Sequence, residues 1–459
     1  MKKDNSRRQF IKNSAIGSAS IVLGANNLFA NTTVMPSASA SVPAILGGKP
    51  AWSKAKWIKW PIWIPEQDEP LLMQAMRSGN WSRSKLVDQF EQEWAQMLGV
   101  KRALATVNGT NALVVGLNQL GIAAGDEVLV PPYTFIATIQ AITTNGAMPV
   151  FVDVDPNTYQ IDPSKIEGKI TSRTKAILPV HILGMPADMD SIMAIARKHN
   201  LIVLEDACQA HLAEINGKKV GTIGNAGCFS FQTSKILPLG EAGALVSNDD
   251  DFMNRAYSFH NLGLPYGLPP GAVASGGVRQ GSKTRLAEPL AAVGLVQMKR
   301  LQAQVDTRHK NAAYLTSKIQ NIPGVVVHKL YDNVTKSAYL LYAFRYKQEQ
   351  FKGLSRDAFL SAVRAEGVPV SMGYTPLNKQ EFIKQTFETQ NFRKAYSRKQ
   401  LNYDKWMAKN QCPENDKLCE EAIWLTQNLL LGSRSDMDII ASAIQKVYDN
   451  AEKIKSMVK

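Results

Sequence analysis

Cysteine is scarce in this chain. Four occur in 459 residues, and their spacing lacks the second Cys or His pair that a zinc site needs, so no metal centre is expected. Cys208 and Cys228 sit in apolar, strand-like contexts and are expected in the core. Cys412 and Cys419 flank the polar segment PENDKL and leave two readings open: free thiols, or a disulfide formed outside the cytoplasm and worth roughly 2–3 kcal/mol. Long apolar runs are also missing, since no later segment approaches the ~18–20 residues needed to span a bilayer. No basic block is interleaved with aromatics. The net charge of +14 is spread along the chain, which argues against nucleic acid and suits an anionic small molecule or plain solubility. No internal repeat is visible.

The length exceeds what one hydrophobic core fills, so two domains are expected. Residues 1–40 stand apart from the fold. They read SRRQFIK from Ser6 to Lys12, then a mildly apolar stretch from Ala15 to Leu23, then small residues ending in Ala38-Ser39-Ala40, the A-x-A form of a leader-peptidase site. Paired arginines before a phenylalanine resemble a twin-arginine export signal, which carries proteins already folded. The resemblance implies a periplasmic protein that touches the membrane only through an uncleaved leader; the alternative is a cytoplasmic protein with a basic tail.

Residues 41–66 are rich in Trp and Pro, which argues for an extended arm lying across another surface, within reach of a neighbouring subunit. From Glu66 to Leu98 the apolar spacing is helical, with Leu72, Met76, Val87, Phe90 and Trp94 on one stripe. Seven short β-rich runs follow, ALATV, VLVPPYTF, PVFVDV, AILPV, LIVLEDA, GCFSF and ALVSN, separated by helical stretches. That alternation means βαβ units and a mostly parallel sheet in an α/β domain over 67–300. VVVHKL, AYLLYAFRY and a final amphipathic segment indicate a smaller α+β domain over 301–459. Gly263 to Ser282 is dense in Gly and Pro and reads as a mobile loop.

Four features carry chemistry. LIVLEDA ends in Glu205 and Asp206, which puts a carboxylate at the carboxyl end of a buried strand, where open α/β sheets bind ligands. A buried ionised Asp206 needs a cationic partner. Lys235 leaves the next strand beside Ser230, Thr233 and Ser234 and precedes the glycine-rich turn GEAGA. A carboxylate for a pyridinium nitrogen and a lysine for a Schiff base are the two groups that pyridoxal 5'-phosphate (PLP) chemistry requires. Asn108-Gly109-Thr110-Asn111 opens a helix whose free N–H groups form a phosphate cradle, although, taken alone, the pattern is better explained by a capped helix without ligand. Tyr133 and Phe135 end a strand where an aromatic face would stack on a planar ring; core packing is the alternative for each.

From roughly Trp60 onward the chain resembles the DegT/DnrJ/EryC1/StrS family of fold-type I PLP enzymes, in the stretches NGTNAL, GDEVLVPPYTFIAT, PVFVDVDPNTYQIDP, RTKAILPVHILGMPADMD, EDACQAH, FSFQTSKILPLGEAGA and CPENDKLCEEAIWLTQNLLLG. FSFQTSK looks closest to the aminohydroxybenzoate-synthase and inosose-aminotransferase side. The resemblance implies a seven-stranded, mostly parallel sheet flanked by helices, and a homodimer with its site at the interface. It also implies that Lys235 forms the internal aldimine and shuttles the proton, Asp206 pairs with the pyridine nitrogen, Gln209 lies near the ring hydroxyl, Phe135 stacks on the ring, and Gly109, Thr110 and Ser230 bind the phosphate.

The chain departs from the family in four places. Gly281-Ser282-Lys283-Thr284-Arg285 replaces a G-x-N-x-R stretch, so Lys283 takes the place of the asparagine that reaches the neighbour's cofactor phosphate. Leu212 and Ala242 stand where glycine is common, and Thr426-Gln427 where proline-histidine is usual. The implied reaction is ping-pong transfer from glutamate or glutamine to a keto sugar, nucleotide-linked keto sugar or keto cyclitol. Two alternatives differ: a PLP sugar dehydratase, which Lys235 argues against because such relatives carry histidine there, and an exported PLP-binding protein that no longer transaminates.

Overall fold

A computed structural model describes residues 42–52, 57–267 and 277–457, and these described residues cluster as one compact unit. The leader features at Arg7, Arg8, Ala15 to Leu23 and Ala38 to Ala40, and positions 268–276 of the glycine-rich segment, lie outside the described residues.

All seven β-rich runs form strands of one sheet: β1 (Arg102–Thr106), β2 (Glu127–Val130), β3 (Met148–Phe151), β4 (Thr174–Ile177), β5 (Ile202–Asp206), β6 (Ala226–Ser230) and β7 (Gly243–Ser247). Their order is β1-β7-β6-β5-β4-β2-β3. Pairings from β3 across to β6 are parallel, and β7 runs antiparallel to both neighbours. The strands read as continuous apolar runs because both faces are covered. Alternate residues divide between two cores: Leu129, Ile177, Val203 and Phe229 on one face, and Val128, Ala176, Leu204 and Cys228 on the other.

The stretch from Glu66 to Leu98 is two helices rather than one. α1 (Pro65–Arg77) and α2 (Lys85–Leu98) are interrupted at Ser78-Gly79-Asn80, where Gly79 takes a φ of 72°. Val87, Phe90 and Trp94 are buried as expected, but Met76 is exposed, since the break rotates α1 off the common stripe. α3 (Gly109–Gln119), α4 (Ile136–Thr144) and α6 (Asp250–His260) cover the Leu204 face; α2 and α5 (Met189–His199) cover the other.

A second, antiparallel sheet has β8 (Val325–Val327), β9 (Leu341–Tyr346), β10 (Ser371–Met372) and β11 (Ala422–Thr426) in the order β8-β9-β11-β10. Helix α7 (Glu288–Ile319) runs unbroken from the Leu129 core, where Leu295, Leu301 and Val305 pack, into a third core under the second sheet, where Ala312, Leu315 and Ile319 pack. Among the described residues no helix is long and apolar enough to cross a membrane.

All four cysteines are free thiols. Cys412 and Cys419 do not pair because Cys412 caps, and Cys419 lies within, the helix Pro413–Glu421. Seven residues along a helix place them ~10 Å apart, beyond the ~4.4–6.8 Å that a disulfide spans.

Candidate active site

The carboxyl ends of β2, β4, β5 and β6 open into a cavity of about 670 Å³, closed on its far side by the second sheet. Gly109, Thr110, Phe135, Asp206, Gln209, Ser230 and Lys235 all line it, beside Asn108, so the structure brings together seven of the eight expected site residues. The eighth, Lys283, is exposed and lies outside this cavity wall. Its backbone is bridged to Asn261, and the adjacent Thr284 carbonyl accepts from Val107 N, which keeps the segment on the outer side of the cradle.

Asp206 ends β5 with its side chain 4 % exposed. Thr138 Oγ1 on α4 donates to Oδ2 at 2.8 Å, and Thr134 is 2.8 Å behind Thr138, so a hydroxyl relay holds the carboxylate. Oδ1 accepts from Cys208 N at 3.2 Å. No ion pair satisfies Asp206 among the described residues, which leaves a buried carboxylate able to take a cationic N–H donor from the cavity.

Lys235 lies in the turn between β6 and β7, closed by Lys235 N donating to Gln232 O and Thr233 N donating to Gly240 O. Burial lowers its pKa from the usual 10.5, against the raising influence of Cys208 and Asp206, so the amine is held toward its neutral, nucleophilic form.

Asn108 caps α3 by accepting from Asn111 N at 2.9 Å. Gly109 is required by packing: a Cβ there would lie 2.7 Å from Ser230 Cβ and 3.0 Å from Cys208 Sγ. Gly243 on β7 is pressed equally close to Asn108 and Gly109. The cradle is therefore a helix start clamped between two strands, with N–H groups facing the cavity. His211 braces it from below by donating from Nε2 to Ser230 O at 2.8 Å. Burial lowers the His211 pKa to about 3 and keeps the ring neutral.

Gln209 is oriented at both ends, with Oε1 accepting from Leu183 N at 2.8 Å and Nε2 donating to Tyr374 Oη at 3.0 Å. Phe135 is 54 % exposed and presents its ring to the cavity, whereas Tyr133 is fully buried. Stacking on a ligand therefore belongs to Phe135 alone; Tyr133 packs on Tyr159, Tyr374 and Trp424. Leu212 adopts a φ of 60°, the reason glycine suits that position.

The structure adds residues that sequence reasoning missed. Thr138 sits in the quoted PYTFIAT stretch, and its helical placement one turn from Thr134 was the available signal. Tyr374, Glu241, Asn428 and Trp60 also line the cavity; Trp60 and Tyr374 come from distant segments and carry no local signature of the site.

Residues 64–402 match the DegT/DnrJ/EryC1/StrS aminotransferase family, and the chain belongs to that family. It is 32 % identical to the L-glutamine:2-deoxy-scyllo-inosose aminotransferase of Streptoalloteichus tenebrarius, over 84 % of this chain and 94 % of the relative. It is 35 % identical to GDP-perosamine synthase of Caulobacter vibrioides, over 65 % and 78 % respectively. Its fold matches crystalline 3-amino-5-hydroxybenzoic acid synthase with a TM-score of 0.77 at 29 % identity, covering 87 % of this chain and all of that one. The chain is therefore an aminotransferase.

Proposed function

We propose that this aminotransferase uses pyridoxal 5'-phosphate to move an amino group from glutamate or glutamine to a keto sugar, nucleotide-linked keto sugar or keto cyclitol, in two half-reactions sharing one site. One observation carries the reading: a single cavity joins an amine that burial holds toward its neutral form and a buried carboxylate with no ion-pair partner among the described residues. The relatives named for glutamine and inosose support the donor and acceptor classes.

The residues present fit the cofactor. Asp206, steadied by Thr138, would hold a protonated ring nitrogen. The N–H groups at Gly109 and Thr110, with the Ser230 hydroxyl, would bind the phosphate, and Phe135 would stack on the ring. Gln209 would lie near the ring hydroxyl, where Tyr374 fixes its amide. When bound, the cofactor supplies the electron sink that such transfers need. Lys235 Nζ would hold it and, as a free base, move the proton, a contribution of typically ~10²–10⁴-fold.

Lys283, outside its own cavity, fits a homodimer in which it meets the phosphate of the neighbouring site. Arg7 and Arg8 support twin-arginine export to the periplasm.

Purified holoenzyme should show a visible band that borohydride abolishes and that glutamine or glutamate bleaches, with an inosose or keto sugar restoring it. A band that no donor bleaches would overturn the reading. Replacing Arg7 and Arg8 by lysine should strand the precursor in the cytoplasm, and unchanged export would sink the leader assignment.

A further inference from the structure

The tryptophan-rich arm is not used by the chemistry above. It packs on its own chain, tied at several points. Trp57 Nε1 donates to Gly367 O at 2.8 Å, Ile58 O accepts from Asn428 Nδ2 at 2.7 Å, and Ile62 O accepts from Gln297 and Arg300 on α7. Between these ties Trp60 meets the lysine turn: its indole N–H is 3.1 Å from both Thr233 O and Lys235 O. Every other hydrogen bond to residues 233–237 comes from the turn's own strand ends, as Lys235 N to Gln232 O, Thr233 to Gly240 O and Ser234 to Gln232 Oε1. Among the described residues no other distant side chain hydrogen-bonds to them.

The other side of the indole is braced at unusual cost. Arg308 on α7 is fully buried and holds its guanidinium 5.1 Å from the Trp60 ring centre. It has no carboxylate partner among the described residues. Its Nε donates to Gln427 Oε1 at 2.9 Å, Nη2 donates to the same oxygen, and Nη1 has no partner. A buried cation without a carboxylate is unfavourable, and the aromatic face recovers part of the loss. An apolar residue would fill that space more cheaply if the arm needed only packing.

We infer that Trp60 is a positioning residue for Lys235. Its N–H pins the Lys235 carbonyl and so fixes where Nζ enters the cavity, while Arg308 on α7, tied to Gln427 just past β11, holds the ring in register. This inference rests on the reading of Lys235 as the amine that carries the cofactor, but one arm of its test does not.

Trp60→Phe keeps the aromatic face and deletes the N–H. Hydrogen–deuterium exchange on the full chain without cofactor should speed up about 10-fold at the amides of residues 233–237, the worth of one neutral hydrogen bond. Trp57→Phe, which loosens the arm elsewhere, should leave those amides protected. In the loaded enzyme Trp60→Phe should lower kcat about 10-fold with the donor KM within about two-fold, and shift the pH midpoint of the visible band.

Unchanged exchange in Trp60→Phe overturns the inference, as does equal loosening of 233–237 in Trp57→Phe. If Trp60→Phe folds poorly, Arg308→Gln gives the second reading: it should raise exchange at the same amides, and unaltered protection counts against the proposal. A wild-type chain that never forms the visible band refutes the proposed function while leaving the exchange result to judge Trp60.

Discussion

Glu205 and Asp206 are neighbours on β5, point to opposite faces of the sheet, and differ in how completely their oxygens are satisfied. Glu205 is fully buried and saturated: Oε1 accepts from Ile223 N and Gly224 N, and Oε2 from Gly221 N and His181 Nε2, all between 2.6 and 2.9 Å. His181 Nδ1 accepts from Ala187 N, which fixes the tautomer that donates to the glutamate. Asp206 has one hydroxyl at 2.8 Å and one backbone N–H at 3.2 Å, and it faces a cavity. The contrast teaches that burial alone does not mark a functional acid. Spare acceptor capacity aimed at open space does.

That comparison can be broken or sharpened in order of effect. Lys235→Ala should cost the largest factor, ~10²–10⁴ or more in turnover, with an unchanged circular dichroism spectrum. Asp206→Asn should cost about 100-fold in kcat/KM, the worth of one charge-assisted hydrogen bond, with a thermal midpoint close to wild type. Glu205→Gln should do the reverse. Its new NH₂ would face two donors, so stability should fall by about 3 kcal/mol in urea unfolding. Equal stability losses in the two variants would erase the distinction.

Acid should act on the buried histidines. His211 and His260 each fall from the usual 6.5 to about 3 through burial. The unfolded chain therefore binds their protons first. Stability is complete above pH 6.5 and falls as pH drops toward 3, by up to about 1.4 kcal/mol per pH unit for each ring. Urea midpoints at pH 7 and pH 5 should differ, and His211→Phe should reduce that difference. Smallest of all, Cys412→Ser should lower stability by about 1 kcal/mol, because it puts a hydroxyl in place of a fully buried thiol, and reductant should leave wild-type stability unchanged, as expected for free thiols.

Much of this architecture was legible in the chain because it rests on local signals. The seven strands announce themselves as apolar runs, and Asp206 and Lys235 stand out because charged groups close buried segments. The break between α1 and α2 was also written locally, at Ser78-Gly79-Asn80, but the apolar period on either side masked it. Tyr133 and Phe135 could not be separated by pattern, since two residues apart at the end of a strand either can face the core; the turn into α4 decides it. Tyr374 and Trp60 escaped because their contacts with Gln209 and the lysine turn join segments more than 160 residues apart. The pairing of Arg308 with Gln427 had the same cause, although the unusual Thr426-Gln427 had already marked the place.

Helix α7 carries a last consequence. Because one uninterrupted rod is embedded in two cores, melting either end strips side chains from both, so heat should dissolve the whole assembly in a single cooperative event rather than lobe by lobe.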